Sequence, residues 1–301
     1  MVAKSMKNDK PLAGIMVPLV TPFDENGDLA PEMARPLIDR LLEVGIHGFY
    51  VGGSSGEGFL QSVAERCEYM RFVADAAQGR VTLIAQVGAL SSRDAHALTD
   101  YAAESGYDVV SSTPPFYFGY TEQEVVGYYR DLAEHSTLPV LLYNVPGTTG
   151  RNLSVDAQIE MLRLPNVIGS KHTDTNYFSA ERLMHEVPGT VIFNGPDEML
   201  TGGLAMGMAG GIGSTYNLMP RHYLELYRHV QNGDLPKARE TQAIVNKVIH
   251  ELLRVSPGVV PGIKRGLKTL GYDVGRARRP FQAIEADTSR FEKLLVECNG
   301  I

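Results

Sequence analysis

The segment VIGSKHTD, residues 167 to 174, is a short apolar run carrying Lys171 where a buried strand would end. An ammonium group is costly to desolvate, so a lysine in that setting must be neutralised, paired or used. Other side chains able to do chemistry fall at the ends of similar runs. GFYV runs into GGSSGEG with Ser54 and Ser55, DVVSS into TPPFYFGY with Tyr117, and PVLLYNV carries Tyr143. VIFNG supplies Gly195 and leads to Asp197 and Glu198, and GGIGS closes on Ser214. An unprotonated lysine amine attacks a ketone, and the iminium that results withdraws electrons from the neighbouring carbon. Lysine suits the task because burial disfavours the charged form of an amine. A tyrosine hydroxyl near the same carbon can pass a proton in and out while the iminium forms and a carbon–carbon bond breaks. The glycines of GGSSG let the backbone approach an anion closely, so its amides and two hydroxyls suit a carboxylate. Together these residues point to carbonyl chemistry.

Such a set needs a scaffold that gathers many strand ends. Eight strand candidates start at Gly14, Gly48, Val81, Asp108, Pro139, Val167, Val191 and Gly210, each separated from the next by a helix-length amphipathic stretch. Capping boxes at Ser62 to Glu65 and Thr121 to Glu124 mark helix starts, where a hydroxyl and a carboxylate satisfy orphan amides reciprocally. Eight βα units predict a (β/α)8 TIM barrel, an α/β fold whose chemistry sits at the carboxyl ends of its strands. The pattern beyond Ser214 is wholly helical, with LELYRHV and stretches over Leu235 to Arg254, Gly262 to Leu270 and Ala283 to Cys298. This gives a single domain over 11–301, barrel to about residue 231 and a C-terminal helical extension after it. Residues 1–10 are polar and charged and are expected to be disordered. An open doubly wound sheet is the competing architecture, but GMAGGIG near Gly207 lacks the dinucleotide spacing and leads into a strand.

Composition narrows the partners. The 301 residues hold 28 Lys plus Arg against 35 Asp plus Glu, a formal charge of −7 that argues against holding nucleic acid through its phosphates. The basic cluster RARRP at Arg276 therefore reads as a solvated face or a subunit contact. Cys67 and Cys298 stand far apart and outside any metal spacing, which fits a reducing cytoplasm and predicts no metal site. No run approaches the length needed to cross a bilayer, so no membrane partner is expected. DENGDL near Asp24 lacks the later pattern of a calcium loop and reads as a turn.

YVGGSSGE, TPPFYFGY, LLYNVPGTTG, GSKHTD, FNGPDE, GGIGSTYN and RGLKTLGY closely resemble the N-acetylneuraminate lyase and dihydrodipicolinate synthase superfamily of class I pyruvate aldolases, nearly from end to end. The resemblance implies that Lys171 forms a Schiff base with pyruvate, that Tyr143 shuttles protons, and that Ser54 and Ser55 hold the keto acid carboxylate. It implies that Tyr117 reaches into the site of a neighbouring subunit of a homotetramer. No cofactor is expected, since the covalent Lys171 imine is the electron sink. The synthase branch carries an arginine two residues after the YNVP proline, where this sequence has Thr148. The lyase branch instead contacts a sugar acid tail through residues matching Thr173, Gly195, Asp197, Glu198 and Ser214, all present here. The expectation is therefore reversible cleavage of a 2-keto-3-deoxy sugar acid, N-acetylneuraminate foremost, to pyruvate and an aldehyde sugar, N-acetylmannosamine. Ser55, Pro196 and His172 depart from the usual threonine, aromatic and glutamine or aromatic, and these departures fall on the substrate pocket.

Plainer readings stand beside these. A single strand-end lysine is usually half of an ion pair, and a single buried tyrosine is usually a core aromatic with a satisfied hydroxyl. Asp197 and Glu198 also suit the first turn of a helix, where carboxylates complement the dipole. Gly52 to Gly56 satisfies G-x-S-x-G, which would make Ser54 a hydrolase nucleophile, but this elbow arrives after only two strands and no upstream oxyanion motif is evident. Dihydrodipicolinate synthase, or another pyruvate-dependent aldolase, is the nearer alternative. A non-catalytic regulator on the same scaffold is disfavoured by the presence of both Lys171 and Tyr143.

Overall fold

The computed structural model describes residues 12–256 and 258–300. The expected disorder of residues 1–10 lies outside the described residues. Eight parallel strands close into a barrel in sequence order: β1 (Gly14–Pro18), β2 (Gly48–Val51), β3 (Thr82–Gln86), β4 (Val109–Ser112), β5 (Val140–Asn144), β6 (Val167–His172), β7 (Val191–Asn194) and β8 (Gly210–Ile212). Around them lie α1 (Arg35–Val44), α2 (Val63–Ala77), α3 (Ser92–Glu104), α4 (Glu122–His135), the single turn α5 (Pro146–Thr149), α6 (Val155–Leu162), α7 (Tyr177–Glu186), α8 (Leu200–Ala205) and α9 (Pro220–Gln231). Both predicted capping boxes form. The closing pair sets Gly14 beside Gly210 and Met16 beside Ile212, which rules out the open doubly wound sheet.

Strands in such a barrel are buried on both faces, and their alternation divides the core in two. Met16, Tyr50, Ile84, Leu141, Tyr143, Phe193 and Ile212 fill the inside. Ile15, Val17, Phe49, Val51, Leu83, Val140 and Ile192 face outward against the helices. Between β5 and β6 the register shifts by one: Val140 pairs Val167, but Leu141 pairs Gly169 and Tyr143 pairs Lys171. This bulge leaves Ile168 without a partner on β5 and moves the rest of β6 by one position.

The helical extension comprises α10 (Leu235–Val255), α11 (Val259–Thr269) and α12 (Ser289–Asn299). The last helix begins six residues later than expected. Its start is fixed where the Asp287 carboxylate accepts the Ser289 amide at 2.9 Å, and the preceding stretch containing Pro280 is irregular. DENGDL is the expected turn, with the Asp24 carboxylate accepting the amides of Asn26 and Asp28 at 2.8 and 2.9 Å. Of the RARRP cluster, Arg278 is turned inward and paired with Glu65 at 2.5 Å, so it belongs to no solvated face.

Gly169 is where this packing is least forgiving, since a methyl group there would stand 1.9 Å from the carbonyl oxygen of Val191. That oxygen is backbone in the adjoining strand and cannot step aside cheaply. Gly169→Ala should therefore lower stability by roughly 1–3 kcal/mol, the usual range for overpacking. Thermal unfolding of parent and variant checks this, and an unchanged midpoint would show that β6 and β7 can separate freely.

Candidate active site

Lys171 is inward-facing on β6 and only 5% exposed, with its Nζ 4.1 Å from the centre of the Tyr143 ring and 4.4 Å from that of Tyr50. β6 extends one residue beyond Lys171, because His172 still pairs with Asn144 on one side and Asn194 on the other. Two aromatic rings and the barrel wall keep bulk water from the amine. Among the described residues Lys171 is held between aromatic rings, with no carboxylate in ion-pair contact, so it is not half of an ion pair.

Tyr143 is buried, and burial alone would push its phenol up, but the charge of Lys171 beside it, together with the Ser54 hydroxyl 3.4 Å away, brings it below the ordinary tyrosine value. Tyr50, equally buried, goes the other way: burial and the proximity of Tyr143 hold its proton on, while its hydroxyl meets Ser111 Oγ at 3.1 Å. Of these two tyrosines facing one lysine, Tyr143 is the one that releases a proton more readily. Tyr50 was not among the residues singled out from sequence. In GFYV it looks like any core aromatic, and only its inward parity distinguishes it.

The loop after β2 folds back on itself, with the amides of Gly56 and Gly58 donating to the Gly53 carbonyl at 3.0 and 3.2 Å. Its turn leaves the amides of Ser54 and Ser55 without a protein acceptor among the described residues. Ser54 Oγ lies 3.4 Å from Tyr143 Oη, and Ser55 Oγ lies 2.7 Å from Ser214 Oγ at the end of β8. Ser54 thus meets a tyrosine and no histidine, which overturns the hydrolase reading. His172, the nearest histidine in sequence to the lysine, is fully buried, with Nε2 at 3.2 Å from the Asn176 carbonyl.

On the β7 side, Asp197 is buried at the start of a short 3-10 turn, Asp197–Met199, that leads into α8. Its Oδ2 accepts the amide and hydroxyl of Thr215 at 2.7 and 2.5 Å, and the same hydroxyl is 2.5 Å from Tyr223 Oη. Burial outweighs those hydrogen bonds and raises the Asp197 carboxyl to about 6. Thr215 and Tyr223, which carry no signal in the sequence, are what hold this carboxylate in place. Gly195 passes so close to Thr173 that a methyl group there would sit 2.1 Å from the threonine hydroxyl. Glu198 is exposed beside them.

Within one chain, the structure gathers Lys171, Tyr143, Ser54, Ser55 and Ser214 at one end of the barrel, with Thr173, Gly195, Asp197 and Glu198 along the loops after β6 and β7. Tyr117 stands apart. It is 73% exposed, on a loop held down by Arg151, whose guanidinium donates to the carbonyls of Phe118 and Tyr120. Phe118 is 62% exposed beside it, so two large aromatic rings face outward from one loop. Thr148, exposed on α5, carries no charge toward the site.

A family model described as the dihydrodipicolinate synthetase family matches residues 11–297. An N-acetylneuraminate lyase of Rhizobium meliloti (strain 1021) is 44% identical over 274 residues, covering 91% of each chain. Among solved structures, the wild-type sialic acid aldolase of Ruminococcus gnavus superposes with a TM-score of 0.91 at 29% identity, over 96% of this chain and 98% of that one. CdNal from Clostridium difficile, solved in complex with mannosamine, gives 0.89 at 28% identity over the same shares. A match that begins at residue 11 and runs to residue 297 leaves little of the molecule outside it, and the chain belongs to the dihydrodipicolinate synthetase family.

Proposed function

We propose that this protein is a class I aldolase that reversibly cleaves N-acetylneuraminate to pyruvate and N-acetylmannosamine. The observation that carries the reading is the amine of Lys171, enclosed by aromatic rings and neighboured by a phenol whose proton is held less tightly than that of an ordinary tyrosine. The Lys171 ammonium first gives up a proton by way of Tyr143, its neutral Nζ then attacks the keto carbon of the open-chain sugar acid, and loss of water gives the iminium. The carbon–carbon bond beyond the adjacent methylene then breaks: its electron pair moves toward the iminium to form an enamine, while the hydroxyl on the departing carbon gives up its proton and becomes the aldehyde. Protonation of the enamine and hydrolysis release pyruvate and restore the amine. Tyr143 carries protons in these steps. No separate cofactor enters this scheme.

The two ends of the substrate are held by different loops. Ser54 and Ser55, with their free amides, take the carboxylate next to the ketone. Thr173, Gly195, Asp197, Glu198 and Ser214 line the path of the hydroxylated tail, and Asp197 Oδ1 remains available to accept from a substrate hydroxyl. The kinship with lyases and sialic acid aldolases supports this branch. Thr148 in place of an arginine leaves the dihydrodipicolinate synthase reaction without its grip on a second substrate. The exposed aromatic loop supports a shared site in a homotetramer, in which Tyr117 of one subunit completes the pocket of the next.

Borohydride reduction in the presence of pyruvate should place one covalent adduct on Lys171 by peptide mass mapping. Tyr143→Phe should retain the fold and lose turnover by roughly 10²- to 10⁴-fold, the usual range for a lost proton-transfer group; near-parental turnover would make Tyr143 a packing residue. The pH profile carries a separate signature. Asp197 is charged above about 6 and neutral below it, so kcat/KM for N-acetylneuraminate should fall as pH drops through about 6. Asp197→Asn should lower kcat/KM and abolish that limb, and a limb that survives in the variant would assign it to another group. Finally, Tyr117→Phe and Lys171→Ala variants mixed under confirmed subunit exchange should regain activity, whereas no recovery would place Tyr117 outside the catalytic pocket.

A further inference from the structure

A buried charge cluster adjoins the serine loop through Glu57. Glu57 is two residues past Ser55 and has φ 57°, in the left-handed region that a non-glycine residue occupies only when its surroundings hold it there. Its side chain is fully buried, with one carboxylate oxygen in an ion pair outside hydrogen-bond alignment and the other accepting a hydrogen bond. Oε1 pairs with Lys264 Nζ of α11 at 2.7 Å, and Oε2 accepts the Arg278 amide at 2.7 Å. Lys264 is itself 2% exposed and donates to the Arg276 carbonyl at 2.9 Å. The Arg278 guanidinium donates to the carbonyls of Gly27 and Leu60 at 2.9 and 2.8 Å. Both cations lie over the ring of Phe23, at 4.5 and 4.1 Å from its centre.

The held residue is coupled directly to the serine loop, because the Glu57 amide donates to the Ser54 carbonyl at 3.1 Å. A two-point grip on a carboxylate fixes its rotation as well as its place. A buried ion pair is a poor source of net stability, since desolvation offsets most of the attraction and an apolar pair of similar size packs as well. The hydrogen bond from the Arg278 amide to Oε2 is directional, unlike apolar packing, and defines where the loop must sit. We propose that Glu57 and Lys264, with the Arg278 amide, are positioning residues that set the Ser54–Ser55 segment for the keto acid carboxylate, so that the helical extension is a working part of the binding site. The proposal rests on the aldolase reading.

The two ideas separate in one series of trapping experiments. Absence of a borohydride-trapped pyruvate adduct in the parent protein would overturn the aldolase reading, and this proposal with it. With the parent adduct in hand, the double variant Glu57→Gln/Lys264→Met tests the latch without leaving an unpaired buried charge. It should need roughly tenfold more pyruvate for half-maximal trapping, about one well-made hydrogen bond to a charged group, while the maximal trapping rate stays within about twofold of the parent. Acetone, a ketone with no carboxylate, should be trapped as in the parent. An unchanged pyruvate requirement in the folded double variant, or equal losses with pyruvate and acetone, would overturn the proposal. A measurement on the unaltered protein decides the matter if the double variant does not fold. Pyruvate should slow amide hydrogen exchange both at residues 53–58 and at 276–278, and slowing confined to residues 53–58 would refute the coupling.

Discussion

Strand pairing between β5 and β6 decides what this barrel can do. Side chains alternate between the inside and the outer helical layer, so a register slip of one residue would turn Lys171 outward while leaving Tyr143 within. The bulge beside Ile168 sets that parity. Before it, Val140 and Val167 both face the helices, and after it Tyr143 and Lys171 both face the interior. Bulges recur beside active sites because they re-aim a side chain without disturbing the rest of a sheet. Here the re-aimed residue is Lys171, the nucleophile of the proposed reaction.

Once inside, the ionisable groups are sorted by their neighbours more than by their depth. Tyr50, Tyr143 and Asp197 are all buried, yet only the phenol nearest the Lys171 charge is made easier to deprotonate. Asp197 moves upward despite two hydrogen bonds from Thr215, which locates it in a drier and more negative neighbourhood that includes Glu198. Groups whose environments push them in opposite directions across a few ångströms can divide proton donation from hydroxyl recognition. The same burial therefore yields two different chemical tendencies on the two sides of one lysine.

Much of this arrangement was legible beforehand for a simple reason: local signals and global fold agree along the barrel. Eight apolar runs, two capping boxes and polar residues after successive strands identified the architecture and the residues clustered at its mouth. The bulge was not legible, because nothing in VIGSK marks Ile168 as unpaired. Lys264 and Arg278 escaped notice because their importance is a tertiary contact with Glu57 across more than half the chain, and the sequence offers only a basic helix and a basic cluster. Tyr50 and Thr215 were hidden by being ordinary for their elements. The late start of α12 has a local cause, since Asp287 accepts the Ser289 amide and so competes with helix further upstream.

The contact between Glu57 and Arg278 spans 221 positions. During synthesis the serine loop and the first strands leave the ribosome long before the segment that clasps them, and β1 must likewise wait for β8. Long-range pairings of this kind slow folding and lengthen the interval in which unfinished strand edges are exposed. The nascent protein therefore holds its serine loop in the chain well before that loop has its final support, so binding competence arrives late in the life of the growing polypeptide.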